Sequence, residues 1–402
     1  MPRTSPEEFR KGVSPNEYAE RLARVRSAMA RQSLSALVVT DPANLFYLCG
    51  YDAWSFYVPQ CLVVPAEGPP RLFARAMDAP GARFTTVLAD HHVHAYPESL
   101  VHRPDAHPFD WISRVALEHG AIQDGPDSTV GVEGDSPFFS ARAYLALTAA
   151  LPRGRVVDSS ELVNWARLVK SEREIAQLRI AGSIADRAMR VALEAVAVGR
   201  RQCDVAGEIM AAQASGTEEH GGDYAAIIPL LPTGAGAGTP HLTWTDLAFV
   251  EGEATTIELA GVFGRYHAPL ARTVMLGSPP DRLATTAKVT QEGMAAALEA
   301  AVPGATAGDV HAAFNAVINE YGLSKESRIG YSIGIGYPPD WGERTVSLRA
   351  QEPTVLVPGM AFHVILGMWM DGWGYELSEP VVIGDSGAER LTDLPQELTI
   401  RR

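Results

Sequence analysis

Hydrophobic and polar positions along the first 160 residues switch repeatedly between a helical period and short apolar runs. Ser14-Pro15-Asn16-Glu17 is a capping box with proline at the first helical position, and it predicts a helix to about Arg31. "LSALVVT" then predicts a buried strand, and "FYVPQCLVV", "RLFARA", "VHAY" and "TVGVEG" predict more, with helical stretches between several of them. "RVVDSS" near 155 is the last strand of an α/β layered domain.

A second capping box, Ser171-Glu172-Arg173-Glu174, opens a long amphipathic helix to about Val196. A new unit with its own start signal places the boundary there, giving domains 1–165 and 166–402. A helix near 203–215 and strands near 225–231 follow. "TIELAGVFGRYHAPLART" (256–273) predicts a hairpin, with Gly261 and Gly264 marking its turn and a lone Glu258 in an apolar strand. Helices are predicted near 281–301 and 306–321, the second capped by Thr306-Ala307-Gly308-Asp309. Strands and turns fill the rest, so this half is α+β.

Composition narrows the function classes. The 402 residues are 46% hydrophobic and carry a formal net charge of −14. Such an acidic surface disfavours nucleic acid and anionic membranes. No apolar run is long enough for a membrane span, and the polar N-terminus does not resemble a secretory segment. Three widely spaced cysteines suggest neither a disulfide framework nor a zinc knuckle, which fits a cytoplasmic protein.

Several stretches carry candidate chemistry beside a plainer reading. "PTGAGAGTPHLTW" (232–244) lacks the Gly-Lys-Ser/Thr ending of a phosphate loop. It reads as a loop whose backbone can approach a small ligand, leading to His241, although packing or surface roles are commoner for a histidine. "DHHVH" (90–94) offers His92 and His94 on one strand face as a metal-binding pair, with no identifiable third ligand. "GYDAWSFYV" (50–58) and "GYPPDWGERT" (336–345) set aromatic rings beside charges, as a core strand or as a ligand lid. In "GWGYELSEP" (372–380), Glu376 and Glu379 point to opposite strand faces, one towards a site and the other towards solvent.

In this order the pieces resemble the creatinase/prolidase (M24) family: a small α/β domain, a linker helix, the Gly-rich loop with its histidine and the hairpin ending in "ART". "GYSIG", "PGMAFHV" and the closing "GWGYELSEPVVIG" continue the likeness. The resemblance implies an α/β N-terminal domain followed by an α+β pita-bread catalytic domain. Metallopeptidases of that family hold two metal ions through two Asp, one His and two Glu. The corresponding positions here are Glu258, Pro269, Tyr331, Ile365 and a position at or beside Ser378. Pro269, Tyr331 and Ile365 cannot supply the ligands of a dinuclear site, so the resemblance with these departures implies no metal and no cofactor.

"TDPANLFYLCGYDAWSFYV", "GGDYAAIIPLLPTGA", "PHLTW", "RYHAPLART" and "GYSIGIGYPPDWGERTVSLR" resemble the ectoine hydrolases of that family. Ala53, Pro59, Ala268 and Ala271 depart from the residues expected there. The implied substrate is ectoine, 5-hydroxyectoine or a close analogue, a cyclic amidine that is cationic at neutral pH. The implied catalytic residues are Glu258, as nucleophile or general base, His241 as proton shuttle and Glu376 as partner of an amidinium N–H. His267 is a second proton carrier. Arg344 or, second, Arg272 would hold the substrate carboxylate. Tyr51, Trp54, Tyr57 and Trp341 would wall the pocket. The resemblance further implies a homodimer, with a deacetylase acting next on the acetylated product. A creatinase-like amidinohydrolase, an Xaa-Pro peptidase and a non-catalytic binding module stand as alternatives.

Overall fold

The computed structural model describes residues 15–402. Ser14, the cap of the first expected helix, lies outside them. The chain divides after Arg167 into two compact units.

In the first unit α1 (Pro15–Arg31) leads into a six-stranded sheet. Its strands are β1 (Ala36–Val39), β2 (Cys61–Pro65), β3 (Arg71–Arg75), β4 (Val93–Tyr96), β5 (Thr129–Val132) and β6 (Arg155–Asp158). They run in the order β4-β3-β2-β1-β5-β6. Between β1 and β2 lies α2 (Pro42–Cys49). Asp41 starts it by accepting from the Ala43 N–H, and Gly50, at φ 76°, ends it in a left-handed conformation open to glycine. Apolar residues of α3 (Pro108–Glu118) and α4 (Ala141–Ala150), such as Ile112 and Leu147, pack with Val38, Val63 and Phe73 of the sheet.

Two expectations for this unit are corrected. Residues 51–60 form no strand, and β2 begins only at Cys61. His92 ends a 3₁₀ turn before β4, while His94 stacks on Phe73 and bonds Arg71, so they do not form one strand-face pair.

The second unit is built twice over from a helix pair and a hairpin. Helices α6 (Glu172–Ala195) and α7 (Gln202–Ser215) precede the hairpin β7 (Ala254–Phe263) and β8 (Tyr266–Leu276); the short α5 (Leu162–Ala166) closes the first unit. Helices α8 (Asp281–Ala300) and α9 (Ala307–Glu320) precede β9 (Gly330–Tyr337), β10 (Asp340–Ser347) and the hairpin β11 (Ala361–Met370) and β12 (Trp373–Ile383). Short strands β13 (Ala388–Arg390) and β14 (Thr399–Arg401) complete an eight-stranded sheet. Ile257, Leu259, Ala268 and Leu270 cluster with Ala181, Ala185 and Met189 of α6. Phe362, Val364 and Leu377 cluster with Met294 and Phe314 of α8 and α9.

The Ser171 capping box forms, and its Glu174 does a second job. One carboxylate oxygen accepts from Ser171 N–H and the other from the Tyr266 hydroxyl at 2.7 Å, fixing the helix start to β8. Residues 225–231, expected as strand, are tied mainly by a bridge between Leu230 and Glu258. Gly261 does not mark the turn, which Gly264 and Arg265 make; it lies inside β7 opposite Ala268. A Cβ there would strike the Ala181 carbonyl and the Ala185 nitrogen, so helix α6 lies flush on the strand only because residue 261 has no side chain.

Expected outcome: Gly261→Ala lowers the unfolding free energy by about 1–3 kcal/mol, the usual cost of overpacking. Denaturant unfolding measures it; a change within about 0.5 kcal/mol would show that α6 can retreat at little cost.

Candidate active site

Period-two alternation decides what each hairpin offers. In β7 and β8, Ile257, Leu259, Leu270 and Val274 face the helices, which leaves Glu258, Ala260, Pro269 and Ala271 on the other face. In β12, Leu377 and Val381 face α8 and α9, which leaves Glu376 and Ser378 on the other face. The two faces meet through side chains. Ala271 N–H donates to Ser378 Oγ at 2.6 Å, while Thr273 Oγ1 donates to Glu376 O and accepts from Glu376 N–H, both at 2.9 Å.

This seam explains Pro269. Ala271 N–H points away from β7, and by the strand period the nitrogen of Pro269 points the same way. The ladder to β7 therefore loses no donor.

Glu258 and Glu376 are both buried, with relative exposures of 6% and 3%. Burial drives the Glu258 carboxyl well above its ordinary pKa, and the neighbouring Glu376 carboxylate raises it further. Burial lifts Glu376 to about 7, opposed by the charge of Lys325. Among the described residues no donor reaches Glu376 Oε1, and the Glu258 carboxyl takes part in no hydrogen bond. Two adjacent acids short of donors form a receptor for a cation bearing N–H groups.

Beside them runs a continuous hydrogen-bonded chain. Trp341 Nε1–H donates to the Tyr331 hydroxyl at 2.8 Å, His363 Nδ1 lies 3.0 Å from that hydroxyl, and His363 Nε2 lies 2.7 Å from Ser378 Oγ. Burial holds the His363 imidazole neutral, its pKa pushed down to about 3, helped by the positive charge of Arg328. The Tyr331 pKa is raised by burial and by the charge of Glu258.

The other anticipated residues divide sharply. His267 is fully buried; its Nδ1–H donates to Arg265 O at 2.8 Å and its Nε2 accepts from Ala226 N–H at 2.9 Å, so it has no proton to carry. Burial drives its pKa to about 3. Arg272 spends its guanidinium on Glu379 and on the carbonyls of Ala271, Ser378, Leu394 and Pro395, which leaves nothing for a substrate carboxylate. Glu379 does not meet solvent. It is fully buried in that ion pair and also accepts from Arg390, Thr392 and Gln396.

Tyr337 and Trp341 are core residues of the β9–β10 hairpin, not a lid, although Trp341 reaches the site through Tyr331. Nearby Glu343 is buried against Lys170. Arg344 is half-buried with a positive φ. His241 is exposed, also at positive φ, and its neighbour Leu242 accepts from Leu231 N–H beside the Leu230–Glu258 bridge. Of the glycines before it, Gly238 admits protein backbone, since a Cβ there would strike Met370 O, and Gly374 of β12 in turn admits the Ala237 carbonyl; Gly234 and Gly236 meet the side chains of Glu253 and Leu242. Tyr51, Trp54 and Tyr57 belong to the N-terminal unit, where Tyr51 is buried against Ser55 and the other two are exposed.

Reading the sequence missed His363, Lys325 and Arg328. Lys325 Nζ donates to Gly367 O at 2.6 Å and lies 4.2 Å from the Trp369 ring centroid; burial lowers its pKa to about 8. The Arg328 guanidinium lies 4.5 Å over the Tyr331 ring and bonds Ser347. No sequence signal marks the two cations, which lie on a connection. His363 could have been noticed, because it is a polar residue within the apolar run "AFHVIL".

Residues 176–385 match the model of metallopeptidase family M24, and residues 21–169 match the creatinase/prolidase N-terminal domain. The chain belongs to the creatinase/prolidase (M24) family. An ectoine hydrolase of Halomonas elongata is 43% identical over 96% of this chain and 97% of its own length. At that similarity the chain is a hydrolase of the creatinase/prolidase family. The crystal structure of dipeptidase PepE from Mycobacterium ulcerans is 26% identical, with a TM-score of 0.79 over 96% of this chain and 99% of that one. A prolidase from Thermococcus sibiricus, 19% identical with a TM-score of 0.82 over 96% and 99%, shows the same pita-bread fold.

The residues present do not fit the two-metal centre of the family's peptidases. The side chains of Pro269 and Ile365 have no ligating atoms, while Tyr331 and Ser378 are bonded to His363. Among the described residues no three His, Cys, Asp or Glu side chains are grouped to hold a metal ion.

Expected outcome: in ligand-free protein, Glu376→Gln gains stability relative to the parent as pH rises from 6 to 8. The sign follows from linkage. A carboxyl whose folded pKa is raised binds its proton more tightly in the folded state, so its contribution is complete below the unfolded value and is lost as pH passes about 7. Comparing parent and variant cancels the opposite-sign contributions of the buried histidines. Denaturant titrations at several pH values read the difference; a constant difference would mean that burial does not raise the Glu376 carboxyl above its unfolded pKa.

Proposed function

We propose that the protein opens the cyclic amidine ring of ectoine or 5-hydroxyectoine by hydrolysis, without a metal ion, giving an acetylated diaminobutyrate. The carrying observation is the buried Glu258–Glu376 pair with its unpartnered Glu376 oxygen. A flat amidinium brings the N–H donors these acids lack, and its charge stabilises both in their ionised forms. The similarity to the Halomonas enzyme supports the same substrate class.

Glu376 pairs with an amidinium N–H and holds the ring. Glu258 attacks the amidinium carbon, forming a C–O bond as the C=N electron pair moves to nitrogen. His241 gives a proton to the departing ring nitrogen, and the C–N bond breaks with its electron pair left on that nitrogen. Water then resolves the adduct and restores Glu258. Arg328, with Arg344 as second candidate, attracts the substrate carboxylate. An amidinium carbon is already electrophilic, so the reaction does not need the polarising metal that a peptide carbonyl requires. The reading extends to a cytoplasmic homodimer acting ahead of a deacetylase.

Expected outcome: of ectoine, 5-hydroxyectoine, creatine and an Xaa-Pro dipeptide, only the first two are consumed, with or without a strong chelator, as followed by NMR. Dipeptide cleavage lost on chelation would make the protein a peptidase; faster turnover of creatine would move it to the creatinase branch. Glu258→Gln is expected to lower kcat by at least about 10²-fold with the fold intact. A variant keeping a tenth of the parent rate would rule out both the nucleophile and the general-base role for Glu258.

A further inference from the structure

The chain from Trp341 to Ala271 has fixed ends and a reversible middle. An indole N–H and a backbone N–H can only donate, so the Tyr331 oxygen accepts from Trp341 and Ser378 Oγ accepts from Ala271. Between them His363 can be arranged in two ways. In one, the Ser378 hydroxyl donates to Nε2, Nδ1–H donates to the Tyr331 oxygen, and the Tyr331 hydrogen is left to point elsewhere. In the other, the Tyr331 hydroxyl donates to Nδ1, Nε2–H donates to Ser378, and the Ser378 hydrogen is the free one.

Both ends serve the same place. Ser378 shares its strand face with Glu376 and receives the N–H of Ala271, which stands opposite Glu258 in the β7–β8 register. Tyr331 is the register partner of His363 and feels the charge of Glu258. By the family resemblance, Tyr331 stands at, and Ser378 at or beside, a position where the family's peptidases place a metal ligand.

We infer that Tyr331, His363 and Ser378 form a proton relay for the Glu258–Glu376 cleft, taking a proton from water at one hydroxyl and releasing one at the other. The inference rests on the function proposed above. Water forms a C–O bond to the carbon carried by Glu258, and the C–O bond to Glu258 breaks with its electron pair returning to the carboxylate. One water proton passes to Ser378 Oγ as the serine hydrogen moves to Nε2. The Nδ1 hydrogen moves to the Tyr331 oxygen, and the tyrosine hydrogen moves to the amine freed by ring opening. The second water proton replaces the one His241 gave up. His363 begins and ends neutral, changing only which nitrogen carries hydrogen, which suits an imidazole that burial keeps uncharged. Exchange with solvent after product leaves restores the first arrangement. The relay thus does by proton transfer what a metal-bound hydroxide does elsewhere in the family.

The test combines kinetics and NMR. Tyr331→Phe and Ser378→Ala are each expected to lower kcat on ectoine by about 10²-fold, with KM changed less than about threefold. The parent is expected to show a curved proton inventory for kcat in mixed H₂O and D₂O, and each variant a straight one. A KM effect without a kcat effect, or an inventory unchanged by the variants, would reduce the chain to a packing role. A second measurement needs no substrate. ¹⁵N NMR of His363 in the ligand-free protein at neutral pH should show a neutral ring whose shifts respond to both variants. A doubly protonated ring would overturn the relay even with ectoine hydrolysis established. If ectoine is not consumed, the substrate reading fails and with it the catalytic step given to the relay; a neutral ring that responds to both variants then leaves the hydrogen-bonded chain itself intact.

Discussion

The second unit depends on the ion pair between Arg272 on β8 and Glu379 on β12, 2.7 Å apart and shielded from solvent. Where the two hairpins meet, side chains replace a backbone ladder: the ion pair on the helix-facing side, Ser378 and Thr273 on the other. Every donor of Arg272 has an acceptor, and Glu379 gathers three further donors. Removing one member of such a pair costs about 3–5 kcal/mol, because the other charge is left buried alone. Glu258 and Glu376 belong to different hairpins, so their approach is set by this seam.

The contrast along β12 is instructive. Glu379 and Glu376 lie three residues apart on opposite faces, both out of water. One is saturated with donors and fixes the fold; the other keeps an oxygen without a partner. Burial alone therefore does not distinguish an acid saturated with donors from one left with an open acceptor. The donor inventory around each does.

Much of this was legible in the sequence. The Ser171 and Thr306 capping boxes mark helix starts because the cap is a local bond among four consecutive residues, independent of tertiary context. The hairpin around Glu258 was legible from its alternation, and the opposed directions of Glu376 and Glu379 from the strand period. What surrounds each side chain was not. The sequence offers His241 first and His267 second as proton carriers, yet His267 has both ring nitrogens committed and His241 is exposed. Arg272 looks like an anion anchor until its five bonds are seen. Arg328 and Lys325, on a connection without periodic pattern, acquire a place only when β9 and β11 bring Tyr331 and Gly367 beside them. In the Gly-rich stretch before His241, Gly238 admits the turn of β11–β12, while Gly234 and Ala235 line a cavity.

Pro269 carries a consequence for how such a cleft can change its chemistry. Its nitrogen faces the seam and not the β7 ladder, so the pairing of the hairpin is indifferent to whether residue 269 has an N–H. An acidic residue and a proline can exchange there without disturbing the strands on either side. The evolutionary path between the metal-binding cleft of the family's peptidases and a cleft such as this one thus meets no backbone obstacle at residue 269. The return path is narrower. An aspartate restored at 269 would add a third acid beside Glu258 and Glu376, and its charge would need a counter-ion before any lost activity could reappear.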